Sequence, residues 1–277
     1  MSLFICLTAC GGASGDGAPA VATSDLPAVA APTTVLSGFK PATSETLTVA
    51  TNLPGPGFWD GNGPDSMTGG FEYGMAQYMA KRLGLNLKII NVGWDALVSG
   101  EPLDYDVALS TINITAARAE VALFSIPYFS SDQGVLVRSG TTVTSANARG
   151  LKWGVQQAST SLDYLANVLK PTTTPAVFQD QPSMFAALAA KQIDAVLLDT
   201  VEVLAEAQQA KGALTVVGQY RTGGVYGAML PKGSSNLDLV NLLIEEMQSD
   251  GELTHLSDAY LVPEFGRNPS TVPYLQP

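Results

Sequence analysis

The chain has 277 residues, a little under two domains at roughly 150 residues per domain. Its formal charge of -11, from 14 Lys and Arg against 25 Asp and Glu, argues against nucleic acid or an anionic membrane surface as a partner. One histidine, His255, and two cysteines, Cys6 and Cys10, nearly exclude zinc sites and Cys-His or Ser-His catalysis, while 46% hydrophobic against 14% charged residues suffices for a sizeable core.

Residues 2–9 are apolar, end in small side chains and stop at Cys10, like the last part of a secretory signal, and are too few to span a bilayer. Leu7, Thr8, Ala9 and Cys10 resemble a bacterial lipobox, which predicts lipidation of Cys10 and removal of Cys6 with the signal. The match requires a start upstream, since no Lys or Arg precedes Lys40. Residues 11–43 are almost entirely Gly, Ala, Ser, Thr, Pro and Val and cannot build a packed face. They read as a flexible tether with a span of about 30 Å.

Short β-branched runs then recur at 47–50, 87–92, 105–109, 134–137, 151–155, 193–198, 214–217 and 226–230. Helical patterns lie between them. In the first, Phe71, Met75, Met79 and Leu83 share a face and Gly84 supplies the stop. Others cover 160–169, 181–191, 200–211 and 236–249. The alternation predicts an α/β fold with mostly parallel sheets, whose sites lie at the carboxyl ends of strands. His255 falls in a further helical stretch with a structural or solvated role, and the Pro-rich tail after Val262 is expected on the surface. No phosphate loop, dinucleotide fingerprint or metal-ligand spacing occurs, so no cofactor or metal is expected.

The most informative segment is 106–128. A strand ending at Leu109 delivers Ser110, Thr111 and Asn113 into a polar turn, and Thr115 can cap a short helix whose first turn carries Arg118. Hydroxyls, backbone N–H groups and a guanidinium that offers two parallel donors converge there, as in a carboxylate receptor. This segment resembles the signature of the family 3 solute-binding proteins, which feed polar amino acids to ABC importers. Further matches follow in order: the strand from Leu47 to Asn52, Gly70 to Glu72, Lys81 to Gly84, Trp94 to Leu97, Gly154 to Thr160, Ile193 to Asp199, and Tyr226 with Gly227.

The resemblance covers about 46–262 and implies a two-lobed periplasmic-binding-protein-like fold of type II. Lobe 1 would be 44–131 with 226–262, lobe 2 would be 132–225, and 263–277 a tail. The hinge strands would cross near 130–133 and 222–226. It implies that Arg118 pairs with a ligand α-carboxylate, helped by the backbone N–H groups of Asn113, Ser159 and Thr160. Asp199 would bind the α-ammonium, with Ser110 and Thr111 as further partners, Trp94 as an apolar platform, and Asn52 facing the ligand side chain. For Asp199 and Trp94 the plainer roles of helix N-cap and core packing stay open. It further implies a monomeric lipoprotein at the cell membrane, facing the periplasm or exterior, that delivers an amino acid or related zwitterion to a permease.

Departures from the family pattern touch the side-chain pocket. The aromatic that usually follows the first strand is replaced by Pro54, Gly55, Pro56 and Gly57, so that Phe58 or Trp59 is the candidate cover. Glu72 stands where an Asp is usual, and Ala158 where a Gly is common. Two alternatives remain: an enzyme on the same fold resembling cyclohexadienyl dehydratase, with Glu72 or Asp199 as general acid, and a ligand-sensing module.

Overall fold

The computed structural model describes residues 35–277; Cys6, Cys10, the expected signal and the tether up to residue 34 lie outside them. Strand β1 (Thr46–Thr51) is buried from Leu47 to Thr51, as expected for a strand covered on both faces. It pairs in parallel with β4 (Asn86–Asn91) and β5 (Val107–Ala108). A small hairpin, β2 (Asp60–Gly61) with β3 (Met67–Gly69), precedes helix α1 (Phe71–Leu83). Phe71, Met75, Met79 and Leu83 of α1 enter the core, and Gly84 at φ 65 closes the helix in the left-handed conformation. Helices α2 (Trp94–Ser99) and α3 (Ala116–Val121) follow in this lobe before β6 (Ala122–Arg138).

In the second lobe β7 (Trp153–Gln156) pairs in parallel with β8 (Ala176–Phe178) and β9 (Ala195–Asp199). Helix α4 (Thr160–Tyr164), extended by a π turn over Leu165–Leu169, and α5 (Gln181–Ala189) make the crossovers, and α6 (Thr200–Gln209) follows β9 without a break. The predicted strands at 214–217 and 226–230 prove to be one strand, β10 (Leu214–Pro231), antiparallel to β6 through both lobes. The sheet order is β4-β1-β5-β10-β6-β9-β7-β8. Sequence pattern split β10 because its middle is polar and carries Gly223 and Gly224; backbone pairing with β6 holds it instead. Pairing is interrupted between Tyr220 and Gly224, where the Asp132 carboxylate accepts the N–H groups of Thr222 (2.7 Å) and Gly223 (2.9 Å). Gly134 is required here, since a Cβ would overlap Val203 and press on the Thr200 Cα at the start of α6.

Helices α7 (Leu237–Ser249) and α8 (Glu252–Leu256) return to the first lobe. Arg82 of α1 forks onto Glu246 of α7 at 2.9 and 2.8 Å. His255 sits in α8, as the pattern predicted.

The tail lies on the surface, anchored at a few points: α9 (Val262–Phe265) buries Phe265, Val272 is 1% exposed, and Gln219 of β10 exchanges backbone hydrogen bonds with Pro273 and Leu275. The tail thus passes from the first lobe across α6, where Gln209 donates to Glu264 (2.9 Å), to the interrupted pairing, where Tyr274 donates to Asp132 (2.8 Å). The last part of the tether is also docked. Leu36 and Phe39 pack on the core, and the Leu36 N–H reaches the Arg82 carbonyl at 2.7 Å. Both segments lack periodicity because a few anchoring side chains, rather than a continuous apolar face, hold them.

Candidate ligand-binding site

The site lies at the carboxyl ends of β1, β5, β7 and β9, where the lobes meet. After β5 the chain turns sharply, with Thr111 at φ 49, an uncommon conformation for a β-branched residue. Asn113 then forms an isolated bridge with Tyr226 through the Ile112 carbonyl and the Ile114 N–H. Those bonds use the peptides on either side of Asn113, so its own N–H and carbonyl turn the other way. Thr115 caps α3 by accepting from the Arg118 N–H at 3.2 Å. The Arg118 side chain points inward and is 7% exposed. Its Nη1 donates to the Asn113 carbonyl (2.9 Å) and its Nη2 crosses to the Ala158 carbonyl (2.9 Å), while its Cζ lies 5.1 Å from the centre of the Trp94 ring. Ala158 holds φ 52, a position that favours glycine, and thereby aims its carbonyl at Arg118. Ser159 caps α4, accepting from the Leu162 N–H (3.2 Å).

Asp199 ends β9 and occupies the N-cap position of α6, yet its side chain makes no capping bond. Its carboxylate instead accepts from Asn113 Nδ2 (2.7 Å), Tyr226 Oη (2.7 Å) and Gln133 Nε2. Burial raises its pKa, opposed by these donors and by Arg118. The Asn113 bond crosses between the lobes, as does the Arg118 bond to Ala158.

A second acidic group stands beside this one. Glu72 of α1 is fully buried and accepts from Trp59 Nε1 (2.7 Å), the Thr111 N–H (2.7 Å) and Tyr128 Oη. Three donors favour the carboxylate, but burial outweighs them and pushes its pKa up to about 7. Glu202, one turn into α6, accepts from Gln181 Nε2 (3.0 Å) and meets Thr111 Oγ1 at 3.1 Å. Burial, with Asp199 and Glu72 adding repulsion, pushes Glu202 up to about 8.

The Glu72 shift has a measurable consequence. Because its folded pKa lies above the ordinary 4.5, the folded state holds a proton that the unfolded chain releases between about pH 4.5 and pH 7. Stability from this group therefore falls as pH rises through that window, by at most roughly 3 kcal/mol, and is flat outside it. Urea unfolding of Glu72→Gln should show the variant gaining on the wild type between pH 4.5 and pH 7.5. A gap that does not change with pH would refute the shift.

All ten pocket residues named from the sequence, Asn52, Phe58, Trp94, Ser110, Thr111, Asn113, Arg118, Ser159, Thr160 and Asp199, line this one cavity. Cys10 lies outside the described residues. Phe58 is a wall rather than a mobile cover: it is 2% exposed and set edge-on against Phe71, Phe129 and Tyr226. Asn52 donates to the Val92 carbonyl (2.9 Å), and its N–H donates to Ser110 Oγ (2.9 Å). Sequence reading missed Gln133, Gln181 and Glu202, and gave Tyr226 no role. For Glu202 a signal existed, since Asp199 and Glu202 have the spacing of a capping box at a helix start. Among the described residues no cluster of His, Cys, Asp and Glu could hold a metal ion.

Residues 47–263 match the bacterial extracellular solute-binding proteins, family 3. The chain is 30% identical over 203 residues to the L-cystine-binding protein TcyJ of Escherichia coli (strain K12), covering 72% of this chain and 76% of that one. It is 24% identical to ABC transporter arginine-binding protein 1 of the same organism, over 69% and 81% of the two chains. Among solved structures, an ancestral arginine-binding protein bound to arginine superposes with a TM-score of 0.69 at 30% identity, over 78% of this chain and 98% of that one. The P235GK mutant of ArgBP from T. maritima gives 0.70 at 25% identity, over 78% and 95%.

Proposed function

The chain belongs to the bacterial extracellular solute-binding proteins, family 3, and from this we propose how it works as the amino-acid-binding component of an ABC importer. It is a binding protein, not an enzyme, as are the cystine- and arginine-binding relatives. Arg118 takes the α-carboxylate, with the N–H groups of Asn113, Ser159 and Thr160, and Asp199 takes the α-ammonium. Ser110 and Thr111 supply further polar partners, Trp94 flanks the ligand backbone, and Asn52 and Phe58 bound its side chain.

The observation that carries this reading is that the guanidinium and the carboxylate for a zwitterion come from opposite lobes and already reach across the cleft, Arg118 to Ala158 and Asp199 to Asn113. We take 44–131 with 226–262 and 132–225 as the moving bodies. A ligand shifts a hinge equilibrium only by its differential affinity for the two states, and moving it from 1:99 to 99:1 takes about 5.5 kcal/mol. Several charge-assisted bonds at roughly 1.5–3 kcal/mol each suffice. The ligand-bound monomer then docks on a membrane permease, and lipidation at Cys10 would hold it at the outer face of the cell membrane.

A thermal-shift screen of the twenty amino acids and related zwitterions tests the reading. A ligand at about 100 times its Kd should add about 2.7 kcal/mol of stability. The same ligand should reduce the radius of gyration in small-angle scattering. A flat screen would sink the assignment.

A further inference from the structure

We propose that Glu202 makes capture proton-coupled and sets specificity: a ligand whose side chain ends in a cation binds between Glu202 and Glu72 and expels a proton as it does so. This rests on the amino-acid-capture reading above and concerns the part of the pocket that the zwitterion clamp leaves over.

Three observations carry it. First, Asp199 and Glu202 occupy the N-cap and N3 positions of α6, where a capping box would satisfy two backbone N–H groups. Neither side chain does so: Asp199 makes no capping bond, and Glu202 turns to Thr111 and Gln181. Giving up an N-cap bond costs about 1 kcal/mol, which points to another use for both carboxyls. Second, the two glutamates come from opposite lobes and share one residue. Thr111, held at φ 49, gives its N–H to Glu72 and its hydroxyl contacts Glu202. Both carboxyls line the cavity that holds Arg118 and Asp199. Third, the Thr111 hydroxyl has one hydrogen but also meets the Ser110 carbonyl, which can only accept, at 2.8 Å. A proton on Glu202 satisfies both contacts at once, whereas an ionised Glu202 leaves one unmade.

The titratable groups facing Glu202 are Glu72 from α1, Asp199 at the start of its own helix and the Tyr226 phenol from β10; Arg118 from α3 acts on Asp199. The cavity therefore holds three carboxyls against one guanidinium. Once a ligand's carboxylate and ammonium have taken Arg118 and Asp199, two carboxyls face each other across the lobes. A neutral side chain leaves Glu202 protonated. A guanidinium or ammonium stabilises its ionised form, so its proton leaves, and one proton released gives one decade of affinity per pH unit.

Calorimetry with L-arginine, L-glutamine and L-cystine at pH 6, 7 and 8.5, in buffers of differing ionisation enthalpy, counts the protons. Wild type should bind arginine about tenfold more tightly at pH 7 than at pH 6, with about one proton released, and level off above pH 8. Glutamine affinity should not depend on pH. In Glu202→Gln the arginine slope should fall towards zero and its affinity at pH 8.5 should drop at least about tenfold, with glutamine binding still independent of pH and the cooperative thermal transition retained. An unchanged slope in the variant, or glutamine or cystine binding with no arginine advantage at pH 8.5, overturns the proton linkage and leaves amino-acid capture standing. Binding of none of these or other zwitterions overturns both.

Discussion

Replacing Arg118 with alanine is expected to remove amino-acid binding by at least about a hundredfold, whichever side chain the ligand carries. Truncating one partner of a buried, hydrogen-bonded charge pair costs roughly 2–5 kcal/mol, much of it from the carboxylate left unpaired. Arg118 is also the cation that acts on Asp199, so its loss weakens both ends of a zwitterion clamp. The fold should survive. Two carbonyls, Asn113 and Ala158, lose a donor at roughly 1 kcal/mol each, while a guanidinium held at 7% exposure no longer has to be kept from water. For a domain of this size a net change near 1 kcal/mol moves Tm by about 2–4 °C. Calorimetry with the ligand found in the screen, run beside a thermal melt, measures both quantities. Unaltered affinity would remove Arg118 from the site, and loss of the melting transition would show that its work is structural.

Asp199→Asn should weaken α-amino acids about a hundredfold and ligands without the amine by much less. The substitution keeps the shape but turns one oxygen into a donor. In the wild type Oδ2 accepts from Asn113 and Tyr226 and Oδ1 from Gln133, so an amide must set a donor against a donor on one side. That conflict should cost roughly 1–3 kcal/mol of stability. The comparison that isolates the ammonium contact is the ratio of affinities for an amino acid and for the matching carboxylic acid lacking the amine. An equal loss for both would mean that Asp199 organises Asn113, Gln133 and Tyr226 and does not meet the ligand.

The site was legible from sequence to the extent that its residues sit in contiguous motifs. Ser110, Thr111, Asn113 and Arg118 fall within nine residues of a strand end, and Ser159 and Thr160 open a helix, so a short-range pattern could name them together. Gln133 and Tyr226 could not be found that way. They lie on the two long strands that pass between the lobes: the pairing of β6 with β9 sets Gln133 opposite Asp199, and the pairing of β10 with β6 brings in Tyr226. The polar cap role left open for Asp199 is likewise decided by distant partners: three donors from three other segments outcompete the local backbone.

What the sequence by itself determined was the alternation of strands and helices, the positions of Gly84 and Thr115 as helix boundaries, and the order of the motifs that mark the family. These follow from local periodicity and capping, which act over a few residues. The tertiary structure decided the single strand β10, the docking of the tail on Gln219, and the turning of Glu202 away from its helix towards Thr111. Each depends on groups that are distant in sequence and meet only after the sheet has formed, so local propensity carries no trace of them.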